Sequence, residues 1–405
     1  MVVQTVKKMI EKVMGGFAKE MPKTSEYNDK YEFTGETKII KINGEMHTLY
    51  RIRATKDIVD ESGKVIARKG DLGGFIEKED NLDYSSNAWV SEGAMVFDNA
   101  RVDGNALVYG SAMIFDNAHV SGFSRIFGNA WVHGNAQVNG DAKIFDNAHV
   151  SGDAQVLGNA RVVDNAQVYG NAKVFGNAYI SGFASVFGNA QVYGNAWVHG
   201  NAQVYDNAQI EGNAKVYDNA KVFGNAYISG FASVFGNAQV YAFAVVANNA
   251  KVYDDAQVFG FASVFGNAQV FGNARVYNIA WIYDDAQIFG NAHIFGNAHI
   301  FGNAQVFGNA WVFDNAQIFG NAHIFGYARI GGNAKVYDNA QVYGDAQVFG
   351  FASVFDNAQV YGIAQVYGNS QVHGNAQVFG TTQVYNIDVT EKSVKEKDVK
   401  EAERH

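Results

Sequence analysis

From Val90 to Val384 a Val or Ile recurs at every sixth position, fifty times, without an insertion or deletion. Around it the unit reads Gly/Asp-Asn-Ala-x-Val/Ile-Tyr/Phe, as in Gly188-Asn189-Ala190-Gln191-Val192-Tyr193. Alternation of this kind places Ala and Val on one face of a strand and Gln and Tyr on the other. The Ala/Val face is the inner one. The opposite face carries Lys143, Arg161, Lys173, Lys215, Arg275 and Lys335, and unpaired burial of each charge would cost several kcal/mol. Gly-Asn or Asp-Asn follows most strands, and these residues tolerate the left-handed backbone region that a tight corner uses. Six residues per side predict a triangular coil of about eighteen residues, a parallel β-helix. At about 4.8 Å per coil, about seventeen coils would make a rod on the order of 80 Å long.

The aliphatic-x-x-x-small-x spacing resembles that of the hexapeptide-repeat superfamily of left-handed parallel β-helices. The small position is Ala almost throughout, with Ser124, Ser370 and Thr382 as exceptions. The left hand is implied by the resemblance alone, since parallel crossovers are ordinarily right-handed. Ahead of the repeats stand Lys30-Tyr31-Glu32-Phe33, Tyr50-Arg51-Ile52-Arg53-Ala54, Gly70-Asp71-Leu72-Gly73-Gly74-Phe75-Ile76, Asn81-Leu82 and Asn87-Ala88-Trp89-Val90. This series is similar to the YdcK-type proteins, a bacterial group associated with acyl transfer. The likeness covers residues 30–385, and the part before Val90 discriminates best.

Four segments follow from the pattern. In residues 1–29, Val3, Val6, Ile10, Val13 and Phe17 fall at 3-4-3-4 spacing with Lys7, Lys8, Glu11 and Lys12 between them. That is one apolar stripe of an amphipathic helix, suited to docking on its own protein, to oligomerisation or to lying on a membrane surface. Residues 30–85 read as a β-rich capping module. Segments 37–42 and 46–54 flank the hairpin signal Asn43-Gly44, and Glu61-Ser62-Gly63-Lys64 marks a second turn. Such a module is well placed to cover the open edge of the first coil and to set the register. Residues 86–385 form the solenoid, and residues 386–405 a Lys/Glu-rich tail.

Composition narrows the function. The chain has no Cys, so thiolate metal sites and disulfides are excluded. Net charge is −9, and residues 86–385 hold 19 acidic against 11 basic side chains. Nucleic acid, which needs a basic stripe, is therefore not an expected partner. No secretory signal or window of transmembrane length is present, which gives a cytoplasmic location by default. The resemblance implies acyl transfer with a histidine base. Yet the repeat histidines (His119, His133, His149, His199, His293, His299, His323, His373) are dispersed over outward positions, and eighteen-residue columns pair none with a carboxylate. Their best neighbours are aromatic, Trp281 with His299 and His293 with Trp311. No catalytic residue, cofactor or metal is assigned. Asp254-Asp255 and Asp284-Asp285 read as corner formers. The β-rich module holds one histidine, His47, where an acyltransferase-like alternative would be sought.

The outer surface is the unusual feature. Phe or Tyr follows the inward aliphatic in 35 of the 50 hexads. Stacked at eighteen-residue intervals, one column runs through Tyr169, Phe187, Tyr205, Phe223, Tyr241, Phe259, Tyr277, Phe295 and Phe313. A second runs through Tyr253, Phe271, Phe289, Phe307, Phe325, Tyr343, Tyr361 and Phe379. A third holds Phe265, Tyr283, Phe301, Phe319, Tyr337 and Phe355. Stacking stabilises such ladders from within, and continuous apolar columns also suit contact with a partner. Residues 175–193 are identical to residues 223–241. That shift of 48 residues is not a multiple of eighteen, so the copied cassette lands on another side of the triangle. Gly-Phe-Ala-Ser-Val-Phe likewise recurs at Phe183, Phe231, Phe261 and Phe351 and visits all three sides. Growth that ignores azimuth argues against a dedicated active site. The expectation is a non-catalytic structural or interaction rod, self-associating through its aromatic faces to a homo-oligomer or bundle. The alternatives are an acyltransferase-like enzyme and a fibre that binds glycan or another protein.

Overall fold

The computed structural model describes residues 22–390 together with Ser393–Val394. The stripe at Val3, Val6, Ile10, Val13 and Phe17 lies outside the described residues, as does most of the charged tail. Two compact units divide the chain, one ending at Gly176 and the other beginning at Asn177. Both are parallel β-solenoids built from two-residue strands. In the second unit Tyr179–Ile180 pairs with Trp197–Val198, and Gln191–Val192 with Gln209–Ile210. The strand period of six and the coil of eighteen both follow the sequence reading.

The inward face is as the alternation requires. Every Ala and every Val or Ile at the inward positions of residues 178–366 is fully buried, while Lys215, Arg275 and Lys335 stay at the surface. The exceptions at the small position are satisfied locally. Ser124, Ser370 and Thr382 are buried, and each hydroxyl donates to the carbonyl three residues earlier, at 2.7, 2.8 and 2.7 Å. That bond removes the penalty of a buried hydroxyl.

The corners divide their labour differently from the reading above. The left-handed residue is the first of the pair, Gly188 at φ 69° or Asp206 at φ 58°. Asn in second place has no positive φ, and its amide builds a ladder: Asn189 Nδ2 donates to Asn207 Oδ1 at 3.0 Å, and Asn207 to Asn225 at 3.2 Å. Asn is therefore repeated because amides can bond to their own kind one coil away. Asp in first place adds a further bond, with Asp206 Oδ2 accepting from the Gly224 N–H at 3.1 Å. The doublets are corner formers of the same type. Asp254 and Asp284 accept from Gly272 and Gly302, while Asp255 and Asp285 accept from Asn237 and Asn267.

In the first unit Tyr31–Ile42 and Glu45–Ala54 form an antiparallel hairpin across Asn43-Gly44, both at positive φ. Ile58–Val59 and Val65–Ala67 pair around the second turn. Leu72–Ile76 then joins two worlds: it is antiparallel to the hairpin and parallel to Met95–Val96. Leu82 bridges Val102, and Trp89–Val90 pairs with Leu107–Val108. Ile76, Leu82 and Val90 thus occupy the three sides of a first coil that draws on residues before 86. At the other end the ladders pass residue 385, since Asp388–Val389 pairs with Gln371–Val372 and Ser393–Val394 with Gln377–Val378.

Gly73 and Gly74 explain their place in the motif. A Cβ on Gly74 would stand 2.5 Å from the Ala94 carbonyl oxygen and 2.6 Å from that of Ser91. On Gly73 it would meet Ile52 at 2.6 Å and the Val90 oxygen at 2.9 Å. Neither glycine needs a positive φ. Both are there so that this strand can lie against the first coil.

Candidate interaction surface

The aromatic columns are formed as rings stacked face to face. In the second unit Phe187, Tyr205, Phe223, Tyr241, Phe259, Tyr277, Phe295 and Phe313 follow one another with centroids 4.8 to 5.2 Å apart and planes within 9°. Tyr169 belongs to the first unit, where it is half-buried. The column ends at Gly331, above which Phe313 leans to meet Phe349 at 5.9 Å. The second column runs unbroken through Tyr253, Phe271, Phe289, Phe307, Phe325, Tyr343, Tyr361 and Phe379. It also begins earlier than the sequence reading placed it, with His199, Tyr217 and Phe235 stacked beneath Tyr253. The same eighteen-residue count would have found these three. The third column holds Phe265 through Phe355 and closes on His373.

Stacking has a consequence for contact. Each ladder ring spends both faces on its neighbours and presents an edge, so the rings are only half-exposed. The tyrosine hydroxyls sit in this shielded layer, and desolvation raises the pKa of Tyr205, Tyr241 and Tyr277.

A second set of apolar residues is far more open. At several corners Asn gives way to Phe, Tyr or Ile, and Phe183, Phe231, Phe351 and Tyr327 all stand exposed. In one corner column three replacements fall on consecutive coils. Phe243, Phe261 and Ile279 are 51%, 59% and 51% exposed, and the first two rings stack at 4.9 Å. Below and above them the amide ladder is intact, from Asn207 to Asn225 and from Asn297 through Asn315 to Asn333. Beside this gap stands Trp281, 42% exposed, packed edge-on against Phe265 and stacked on His299. Sequence reading found Phe261 only as part of a repeated cassette. The neighbouring Phe243 and Ile279 occur in different hexads, Ala-Phe-Ala and Asn-Ile-Ala, so their alignment needs the coil period.

The first unit shows what such a face can hold. Its outward residues Met95, Phe97, Met113 and Phe115 are buried beneath Leu49 and Phe75, with Ile40 and Ile42 packed alongside. Phe97 and Phe115 are stacked at 5.1 Å in the manner of the later ladders. The hairpin thus seats itself on an aromatic column of the chain's own repeats.

The histidines need a correction. Trp281 with His299 and His293 with Trp311 stack as the columns place them. Carboxylate pairs nevertheless exist. His119 Nε2 lies 2.9 Å from Asp103 Oδ2, His133 Nδ1 3.4 Å from Asp116 Oδ2, and His373 Nε2 2.7 Å from Asp388 Oδ1. The carboxylates lie 16, 17 and 15 residues from their histidines, close to one coil away but offset along the chain, so a strict eighteen-residue column does not bring them together. These three pairs lie at the surface. In His293 desolvation, reinforced by Arg275, holds the imidazole below its ordinary pKa. No helix of the described residues is long and apolar enough to cross a membrane.

Among known families, the YdcK β-solenoid repeat model matches residues 268–284, a stretch that includes Ile279 and Trp281. No curated protein matches the sequence.

Proposed function

We propose that this chain, a YdcK-like β-helix repeat protein, works as a non-catalytic interaction scaffold that associates with further copies of itself. The contact is centred on the corner of Phe243, Phe261, Ile279 and Trp281, flanked by the edges of the aromatic ladders. One observation carries this reading: three consecutive corners exchange an amide that bonds to its own neighbours for a large apolar side chain left more than half exposed. The exchange forfeits corner hydrogen bonds and leaves more than half of each apolar side chain in solvent. Contiguous apolar surface of this kind marks contact sites more often than solvent-facing structure. The hairpin of the first unit, seated on Phe97 and Phe115, supports the idea that outward aromatic columns accept β-structure.

The ladders themselves are assigned mainly to internal cohesion, because their ring faces are already used. The dispersed histidines and the close-packed Ala/Val core favour this reading over the acyltransferase-like alternative.

The test is molar mass by light scattering across protein concentration. It compares the natural chain with Phe243→Asn/Phe261→Asn/Ile279→Asn, which restores the amide ladder and should fold at least as well. Mass that grows with concentration in the natural chain and stays monomeric in the triple variant supports the proposal. A natural chain that remains monomeric at high concentration, or a variant that associates equally, overturns it.

A further inference from the structure

His47, Glu77 and Asp98 come from three separate elements of the first unit: the hairpin strand Glu45–Ala54, the residue after strand Leu72–Ile76, and the corner after Met95–Val96. His47 Nδ1 stands 3.3 Å from Asp98 Oδ1 and 3.7 Å from Glu77 Oε2, and one donor atom from each residue lies within 4.8 Å of the others. We propose that this triad is a binding site for a divalent transition-metal ion of the zinc class, and that the ion clamps the capping module to the first coils.

Distance, burial and support all bear on the assignment. Charge-assisted hydrogen bonds close to about 2.7–2.9 Å, and the two separations here are longer. Donors bound to zinc at about 2.0–2.2 Å in tetrahedral geometry stand about 3.3–3.6 Å apart along the edges of the polyhedron. The His47–Asp98 separation lies within that range and the His47–Glu77 separation just beyond it, so a small side-chain adjustment would bring these donors to ligand spacing. His47 is 6% exposed and packs against the Phe97 ring at 4.9 Å, with Phe97 itself fully buried. An imidazole that far from water, aimed at two carboxylates, meets a cation with a preformed low-dielectric wall behind it. Both carboxylates are held from behind as well. Asp98 occupies a corner at φ 56°, and its Oδ2 accepts from the Asp116 N–H at 3.3 Å. Glu77 Oε2 accepts from the Asp98 N–H at 2.8 Å. Backbone support of this kind orients ligands before an ion arrives. One neutral imidazole and two carboxylates neutralise a dication and leave room for solvent as a fourth ligand. Oxygen and imidazole donors without sulfur suit zinc, cobalt or manganese.

The sequence conceals the site because the three residues are 30 and 21 positions apart and share no motif. The other histidine–carboxylate contacts differ in kind. His119 is exposed and pairs with Asp103 at 2.9 Å, while the half-buried His373 pairs with Asp388 at 2.7 Å and faces Asp356 at 3.8 Å; each makes one short contact of hydrogen-bond length, so they serve as controls.

The experiment titrates the full chain with Co²⁺, following its visible absorption, then competes with Zn²⁺ and removes both with chelator. The expected result is one saturable equivalent displaced by Zn²⁺. Glu77→Gln and His47→Gln should each weaken it by at least about tenfold, and His373→Gln should leave it unchanged. Glu77→Gln keeps an oxygen for the Asp98 N–H, so its melting temperature in chelator should match that of the natural chain. A rise in melting temperature with Zn²⁺ in the natural chain, absent in Glu77→Gln, supplies a second readout, since an ion that binds only the folded state stabilises it. The proposal is overturned if the natural chain gives no saturable Co²⁺ spectrum and no Zn²⁺-dependent melting shift. It is equally overturned if His373→Gln removes the signal while the triad variants keep it.

Discussion

Replacing Gly74 by Ala adds one methyl group at the seam between module and solenoid, and its cost can be worked from the geometry. The new Cβ would stand 2.5 Å from the Ala94 oxygen, 2.6 Å from the Ser91 oxygen and 2.7 Å from Val90 Cγ1. Two of the three are backbone atoms of the coil and cannot rotate away. A carbon seldom sits nearer than about 3.3 Å to a carbonyl oxygen, so strand Leu72–Ile76 must retreat by about 0.8 Å. The Phe75 N–H···O Ala94 bond at 2.9 Å and the Glu77 N–H···O Val96 bond at 3.1 Å then stretch beyond useful length. Two bonds at about 1 kcal/mol each, with Phe75 loosened from Met95, make a loss of about 2–4 kcal/mol. Hydrogen exchange read by mass spectrometry locates it: peptides within residues 31–76 should lose protection. Peptides from Asn177 onward should not change, because repeats feel chiefly their neighbours. Gly44→Ala is the comparison. Gly44 has positive φ but nothing within 4 Å of a Cβ, so its cost should be the backbone strain alone, about 1–2 kcal/mol. Equal protection in Gly74→Ala and the natural chain would refute the close-approach account.

Two further outcomes follow from the same structure. Phe307→Ala removes a ring stacked on Phe289 at 4.8 Å and on Phe325 at 5.0 Å. It should lower stability by about 1–3 kcal/mol in chemical denaturation, and a loss below about 0.5 kcal/mol would show that the ladder does not hold itself together. Lys30 is buried, with its Nζ donating to the Asp83 carbonyl at 2.7 Å. Desolvation lowers its pKa from 10.5 to about 7 against the pull of the Asp83 charge. The unfolded chain keeps that proton to higher pH than the folded one, so this residue's contribution to stability rises with pH from about 7 towards 10.5 and is flat below 7. The stability difference between the natural chain and Lys30→Met should therefore shift toward the natural chain between pH 7 and 9, and parallel profiles would contradict the assignment.

Much of the fold could be read in the sequence because a strict period leaves few choices. The inward Val192 and Ala190, the outward Lys215, and the Asn43-Gly44 hairpin fall where alternation and turn chemistry place them. The role of Asn189 was only half legible, since a single unit shows a corner residue while the amide ladder exists only between coils. The offset that pairs His119 with Asp103 and the gathering of His47, Glu77 and Asp98 were hidden for the same reason. Both depend on where the chain lies after coiling. Phe243, Phe261 and Ile279 stand between these extremes, visible once the eighteen-residue coil is applied to the second corner position as well as to the ladders.

The most direct test of self-association is covalent footprinting of side chains at low and high protein concentration. The account predicts that Phe243, Phe261 and Trp281 lose reactivity as concentration rises while the exposed Tyr27, on the first unit, keeps its own. Unchanged reactivity at that corner, in a sample whose mass has grown, would contradict it.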